Sequence, residues 1–453
     1  MSQTIKLKKG FDINLAGKAA QKIADNKRPD TYALKPTDFP GMTRPKLHVA
    51  EGDNVKAGSP VLYDKLTPEI NYTAPVSGEV VEIKRGAKRK ILEIKILADK
   101  EISHESFNKY SNSDLSALSR EDAQAQMLES GVWPNIVQRP FGIVANPADT
   151  PKSIFISTFD THPLAPDYGF ILQNDSQAFQ AGVTVLKKFT SGEVHINVDG
   201  KSEISPVFSS VEGAKVNKVS GPHPAGNVGV QIHHLDPIGK GDIVWTINPA
   251  GVVQLGKLFL EGIYDAARTI VVAGSEIKTP QYYKTFQGAC IDKFLEGNLN
   301  SEHVRAISGN VLTGERIDLS GYVGYYSNQL TVIPEGDYHE MLGWIKPSNR
   351  LSFHRSFGLF SFLNPKKEHV MDTNTRGEER AFVISGVFEQ VTPMDILPTY
   401  LIKAIMAEDY EDMEGLGIFE VVEEDLALCE FVDVSKHNIQ EIVRNGINLI
   451  KEG

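Results

Sequence analysis

Residues 45–96 read PKLHVAEGDNVKAGSPVLYDKLTPEINYTAPVSGEVVEIKRGAKRKILEIKI. Apolar runs alternate there with turn signals: Glu51-Gly52-Asp53-Asn54, Ala57-Gly58-Ser59-Pro60, Ala74-Pro75-Val76-Ser77-Gly78 and Arg85-Gly86. Val80-Val81-Glu82-Ile83 and Ile91-Leu92-Glu93-Ile94-Lys95-Ile96 show the alternation of half-buried strands. The glycines permit the positive φ that tight turns require. The stretch predicts a small module of short strands.

Val49–Gly58 follows V-x-x-G-D-x-V-x-x-G, and Ala74–Val80 follows A-P-x-x-G-x-V. This pattern resembles the barrel-sandwich hybrid of biotinyl and lipoyl carrier domains. In those carriers a lysine at a hairpin tip bears the cofactor. Here the tip reads Asp64-Lys65-Leu66-Thr67-Pro68-Glu69-Ile70 and is shorter, with Lys65 near but not in the carrier context. The resemblance implies a carrier-like fold used structurally, with Lys65 unmodified.

The chain of 453 residues is long enough for several domains with proper cores. Its 41% hydrophobic and 23% charged residues suit a globular protein. A net charge of −11 opposes nucleic acid as a partner, because phosphate binding needs a basic surface. The opening Met1–Lys9 has no signal-peptide character. No apolar stretch reaches the roughly 20 residues of a spanning helix. The best candidate, Ile243–Gly256, is broken by Asn248-Pro249 and Gly251. A cytoplasmic location is therefore expected. Two cysteines, Cys290 and Cys429, cannot supply a disulfide framework, a four-cysteine zinc site or a self-contained iron–sulfur cluster.

Beyond a Lys-rich lead-in over 1–44 and the β-module, the polar Ser103–Asn112 reads as a linker. Leu115–Ser130 predicts one helix, with Ser119 as an N-cap, Asp122 three residues on, and Gly131 as its stop. Strands are expected at Ile154–Thr158 and Val194–Val198, with a helix over Ser176–Lys188 between them, giving a Rossmann-like sheet. Its usual phosphate signatures, G-x-G-x-x-G after a strand and G-x-x-x-x-G-K-[ST], are absent. Ser220–Ile238 reads as a Gly/Pro/His turn region, Val252–Ala267 as a helix and Thr269–Ile333 as a β-rich unit. A loop-rich stretch over Asn349–Arg380 precedes an acidic helical tail. The expected class is multidomain, α+β and α/β. It comprises the barrel-sandwich module (1–100, core 45–96), a Rossmann-like domain (101–255), a β-grasp unit (256–335) and a loop-rich, then helical, C-terminal part (336–453).

Four motifs in this order carry a wider resemblance. They are Thr73–Gly78 with the basic Lys84–Arg89, then Gly221–Gly226 with His233–Pro237, then Ile307–Gly314, and finally Glu423–Cys429. Over its whole length the chain resembles the A subunits of the sodium-translocating NADH:quinone reductases. That resemblance implies membership of a complex that passes electrons from NADH to quinone and exports sodium. It implies a peripheral subunit on the cytoplasmic side of the membrane, partnered chiefly by the B and C subunits, of which B is embedded in the membrane. FMN, FAD, riboflavin and iron–sulfur centres are implied in other subunits, and none in this chain. The β-grasp unit is implied to be of the soluble-ligand-binding (SLBB) type.

The family is distantly similar to the C subunit of the Rnf complex, and also to the flavin-bearing subunit of respiratory complex I. Those relatives carry a flavin loop of the type A-G-x-x-G-x-G-G-A-x-F-P. Its counterpart here, Gly131–Phe141, keeps only the first glycine. Trp133 and Pro134 stand where a phosphate would need close backbone approach, so neither FMN nor NADH is expected here. The relatives' cluster cysteines reduce to Cys429, which reads as a small buried apolar residue.

Trp133, Arg139, Pro140 and Phe141 are the candidate site: the aromatic faces to stack a planar quinone, Arg139 to donate to its carbonyl. The alternative is a proline-stiffened packing loop. Tyr32–Met42 is the candidate opposite wall. His223, His233 and His234 read as turn-fixed residues or hydrogen-bonding groups at the β-grasp junction rather than a metal site. Lys84–Lys90 reads as a solvated hairpin tip, with anionic lipid or a membrane partner as the alternative. Asp409–Glu414 reads as a solvated acidic face. The competing function is a stand-alone quinone- or flavin-binding module.

Overall fold

A computed structural model describes residues 2–25, 28–341, 351, 353 and 367–452. Of the loop-rich stretch expected over Asn349–Arg380, residues 349, 350, 352 and 354–366 lie outside these residues.

The stretch 45–96 folds as two facing antiparallel sheets. One holds Thr31–Leu34, Ile91–Ala98, Gly78–Arg85 and Asn54–Val55; the other holds Pro45–Leu47, Pro60–Asp64 and Thr67–Thr73. Val61, Leu62, Ile70, Val80, Ile94 and Ile96 from both sheets form the fully buried filling. Gly78 marks the corner where the chain enters the eight-residue strand Gly78–Arg85. At φ +152°, a Cβ there would lie 1.9 Å from the Leu97 carbonyl oxygen. The tip at Lys65-Leu66 is a two-residue hairpin. Buried Asp64 holds it, accepting from the backbone N–H groups of Thr43, Arg44 and Leu66.

The central sheet has seven strands in the order Thr4–Lys6, Lys215–Ser220, Val194–Asp199, Ser153–Ser157, Val244–Thr246, Val137–Arg139, Ile143–Val144. The first five run parallel, and the last two add an antiparallel edge. Ile154-Phe155-Ile156 is an unbroken apolar run because this strand is covered on both faces. The first strand of the chain thus closes the edge of a sheet built far downstream. Two helices, the crossover Ser176–Leu186 and the Pro249–Glu261 helix that leads on to the next sheet, touch backbone to backbone. A Cβ on Gly256 would lie 1.7 Å from the Ala178 carbonyl oxygen, and one on Gly182 would lie 2.2 Å from that of Val252.

The helix expected over Leu115–Ser130 is two helices, Asn112–Ala117 and Arg120–Ser130. Ser111 caps the first, and the break comes where Ser119 turns extended to cap the second, accepting from the Asp122 N–H. Gly131 ends it at φ +79° in the left-handed conformation. The helix expected over Val252–Ala267 instead spans Pro249–Glu261. Asn248 caps its start, Gly262 ends it, and Ala267 already belongs to the next strand. The turn region Ser220–Ile238 contains a helix, Val228–Leu235. Its apolar Val230, Ile232 and Leu235 follow a helical rather than a turn pattern once past Asn227.

The β-rich unit is a five-stranded sheet in the order Gln281–Phe286, Ala267–Ala273, Gln329–Pro334, Val304–Ser308, Glu315–Ile317. The C-terminal helices enclose their own core of Leu401, Ile402, Leu426, Val443 and Ile447. Cys429 sits in it, donor or acceptor to the Thr392 hydroxyl, and burial pushes its thiol up to about 12. A thiol so held is a packing residue.

Candidate functional site

In an open parallel sheet, ligands bind beyond the carboxyl ends of the strands where the strand order reverses. Here the chain runs outward from Ser153–Ser157 through Val194–Asp199 to Lys215–Ser220. It then returns to lay Val244–Thr246 on the other side of Ser153–Ser157, so the order reverses between those two strands. A cavity of about 530 Å³ opens at that point. Ser157, Asp160 and Asn248 wall it from the central sheet, the loop Ser308–Gly314 from the β-grasp sheet, and Glu424 and Arg444 from the C-terminal helices. The Ser308–Gly314 loop is stiffened by Asn310, whose Oδ1 accepts from the N–H groups of Leu312 and Thr313.

The Phe159–His162 loop, leaving the switch-point strand, separates this cavity from a second one of about 630 Å³. His162 Nε2 lies 2.8 Å from Asp160 Oδ2. Burial alone would raise Asp160 and lower His162. Their mutual attraction reverses both, so Asp160 sits below its ordinary range and His162 above. Thr161 accepts from the Gly226 N–H at 2.9 Å and contacts His223 Nδ1 at 3.1 Å. Burial pushes His223 down to about 4 against the pull of Asp160, so this imidazole is neutral.

The four candidate residues divide. Trp133 is fully buried; its Nε1 donates to the Ala145 carbonyl at 2.8 Å, and its ring meets Phe189 and Trp245 edge-on. It packs the domain interior and is not among the cavity-lining residues. Pro140 is likewise buried and absent from the cavity lining. Arg139 reaches the cavity, but its guanidinium is engaged: Nη1 donates to Asp425 Oδ2 at 2.7 Å and Nη2 to Glu424 Oε1 at 2.6 Å. Phe141, at φ +81°, turns its ring toward Phe419, and its carbonyl accepts from Arg444 Nη1 at 2.7 Å. Of the opposite wall, Pro40 lines the cavity, whereas Tyr32 is buried and Phe39 packs on Tyr72 and Tyr325.

Asp425 is what sequence reasoning missed. Its side chain is wholly buried, and it also accepts from the Val422 N–H. Its carboxylate lies over Gly229, in the first turn of the Val228–Leu235 helix. A Cβ at Gly229 would fall 2.3 Å from Asp425 Oδ2. The positive end of that helix and Arg139 together balance the buried charge. In sequence it showed only as the last member of the Glu423–Asp425 acidic triplet.

His233 and His234 belong to this same junction. They lie on a helix rather than on a strand, and they bind the C-terminal part rather than the β-grasp unit. His233 Nδ1 meets Glu420 Oε2 at 2.6 Å while its Nε2 accepts from the Asp395 N–H; His234 Nε2 donates to the Pro393 carbonyl. Both rings are thereby committed to hydrogen bonds.

The Gly131–Phe141 loop does not fit a flavin phosphate. The N–H groups of Asn135 and Ile136 bond back to Val132 and Trp133 carbonyls within a tight turn, and the Trp133 ring fills the space beneath. Among the described residues no cluster of His, Cys, Asp and Glu is arranged to hold a metal ion, and no helix is long and apolar enough to cross a membrane.

Three family models match the chain: the NqrA N-terminal barrel-sandwich hybrid domain over residues 5–99, the NqrA second alpha/beta domain over 118–264, and the NQRA C-terminal domain over 269–318. The A subunit of the Na(+)-translocating NADH-quinone reductase of Alcanivorax borkumensis is 39% identical over 452 residues, covering 99% of both chains. Its namesakes from Vibrio vulnificus and Rhodopirellula baltica are each 37% identical, covering 99% and 98% of this chain and 100% and 98% of their own. Among solved structures, an NAD+-reducing [NiFe]-hydrogenase in the air-oxidized state aligns at 10% identity and a TM-score of 0.39, over 78% of this chain and 67% of that one.

Proposed function

Because this chain belongs to the family of A subunits (NqrA) of the Na(+)-translocating NADH-quinone reductase, we propose that it is the cofactor-free, cytoplasm-facing member of that complex and braces the membrane-embedded B and the adjoining C subunits. The flavins and the iron–sulfur centres of the complex then reside in its partners. The observation carrying this reading is what occupies the Gly131–Phe141 segment. An indole fills the interior, the turn amides bond internally, and the guanidinium is bound by two carboxylates.

The same reading assigns the switch-point cavity to a quinone head group. A planar ring entering there meets Arg139 and Gly142, while the buried Trp133 and Pro140 pack behind the lining. The division into units at 1–100, 101–255, 256–335 and 336–453 belongs to this proposal too.

The test is to purify the complex through a tag on this chain in mild detergent and assay sodium-stimulated NADH:quinone reduction. Co-purifying membrane subunits with activity support the assignment. A chain that emerges alone, or yellow with stoichiometric flavin, defeats it. Saturable quinone binding weakened by Arg139→Ala supports the cavity assignment, and unchanged binding removes it.

A further inference from the structure

The outer face of the C-terminal helices carries a feature that neither the core nor the switch-point cavity uses. Between the helices Pro398–Met406 and Tyr410–Gly415 runs an open groove of about 390 Å³ whose apolar lining includes Leu397, Tyr400, Ala404 and Leu416. Leu397 and Tyr400 are 51% and 49% exposed, and Met406 and Tyr410 on the same two helices are 51% and 45% exposed. The helices themselves are anchored from below by Leu401, Ile402, Ile405 and Met413, so the exposed set is surplus to folding. Large apolar side chains clustered in a concavity mark a docking surface.

Its charges identify the occupant. Glu408, Asp409, Glu411 and Asp412 are all exposed, at or beside the groove, and none has a basic partner among the described residues. Glu414, by contrast, is bound by Lys240. Four carboxylates beside an apolar floor outweigh the one lysine of the lining, Lys403, and complement a segment with apolar residues on one face and lysines or arginines on the other. In membrane proteins the cytoplasmic loops and termini carry that excess of Lys and Arg.

We propose that the Leu397–Leu416 groove docks a basic amphipathic segment of a membrane-embedded subunit of the complex. This rests on the cytoplasm-facing assignment above, which places the acidic face on the side where such segments emerge. Binding is apolar at its centre and charge-steered at its rim.

The experiment uses the whole complex, purified through a tag on this chain. Tyr400→Ala with Glu411→Lys is compared with Glu121→Lys, which makes the same charge change on an exposed residue of another helix. The double variant is expected to recover about tenfold less of the membrane subunits at moderate salt, while Glu121→Lys recovers them as wild type does. At high salt, where the rim charges are screened, the deficit should narrow to the part left by the missing ring. A photo-crosslinking residue at position 400 is expected to capture a Lys/Arg-bearing peptide of a membrane subunit. This second readout does not depend on the stability of the double variant. Wild-type recovery by the double variant at every salt concentration overturns the proposal, as does capture of a second copy of this chain or of an acidic peptide. If the wild-type tag brings no membrane partner at all, the complex assignment itself fails, a result distinct from failure of the groove.

Discussion

Removing the Arg139 side chain tests the junction between the α/β domain and the C-terminal helices. Arg139→Met keeps most of the side-chain volume but strands Asp425, whose carboxylate is wholly inaccessible to water. Breaking a buried ion pair from one side costs about 3–5 kcal/mol. Glu424 is 42% exposed, so its share of the interaction is solvent-screened and amounts to about 1 kcal/mol or less. Arg139→Met is therefore expected to lower the opening free energy of the Ile439–Glu452 helix, read by native-state hydrogen exchange, by about 3 kcal/mol or more. Glu424→Gln should lower it by no more than about 1 kcal/mol. Asp425→Leu together with Arg139→Met should recover part of the loss, because it removes the stranded charge. That recovery is limited by Gly229, which leaves space shaped for a carboxylate and already closed to a Cβ. The reasoning is refuted if Arg139→Met and Glu424→Gln cost the same, or if the double substitution costs the sum of the two singles, since either result means that Asp425 does not depend on Arg139.

Gly256→Ala must push its new Cβ into the Ala178 carbonyl. It is expected to destabilise the α/β domain by several kcal/mol in a urea titration, far above the usual helix preference for alanine. Gly131→Ala combines φ +79° with a Cβ 2.2 Å from Thr73 Oγ1 and should cost more than about 1 kcal/mol, read the same way. His223 is neutral when folded, with its value lowered from 6.5 to about 4, so the stability it contributes is complete above pH 6.5 and is lost as pH falls toward 4. The loss is about 3 kcal/mol, and His223→Gln should flatten the stability profile in that window by a comparable amount. His195, also lowered to about 4, retains its own share of the slope, whereas the raised His162 loses its contribution as pH rises.

What the chain's own text determined is local. The glycine spacing of residues 49–80 specified the turns of the barrel-sandwich module, because only glycine tolerates corners such as Gly78. Ser119, Gly131 and the unbroken apolar run 154–156 likewise announced a cap, a stop and a doubly covered strand, each readable within a few residues. The departure of Gly131–Phe141 from a glycine-rich loop was legible for the same reason: it is a contiguous stretch. The direction of its side chains was not. Trp133 faces inward because Phe189 and Trp245, brought in by two other elements, complete a ring cluster there. Arg139 was legible as a chemically useful group, but its partners lie 285 and 286 residues away. The helix Val228–Leu235 escaped notice because its start lies inside a run of turn residues. Its last turn carries two histidines whose role depends on Glu420, Asp395 and Pro393. Capping, turn and alternation signals act over a few residues and survive in one dimension. Which buried charge faces which, and which side chain borders a cavity, is decided only when distant segments share one interior and every charged group there must find a partner.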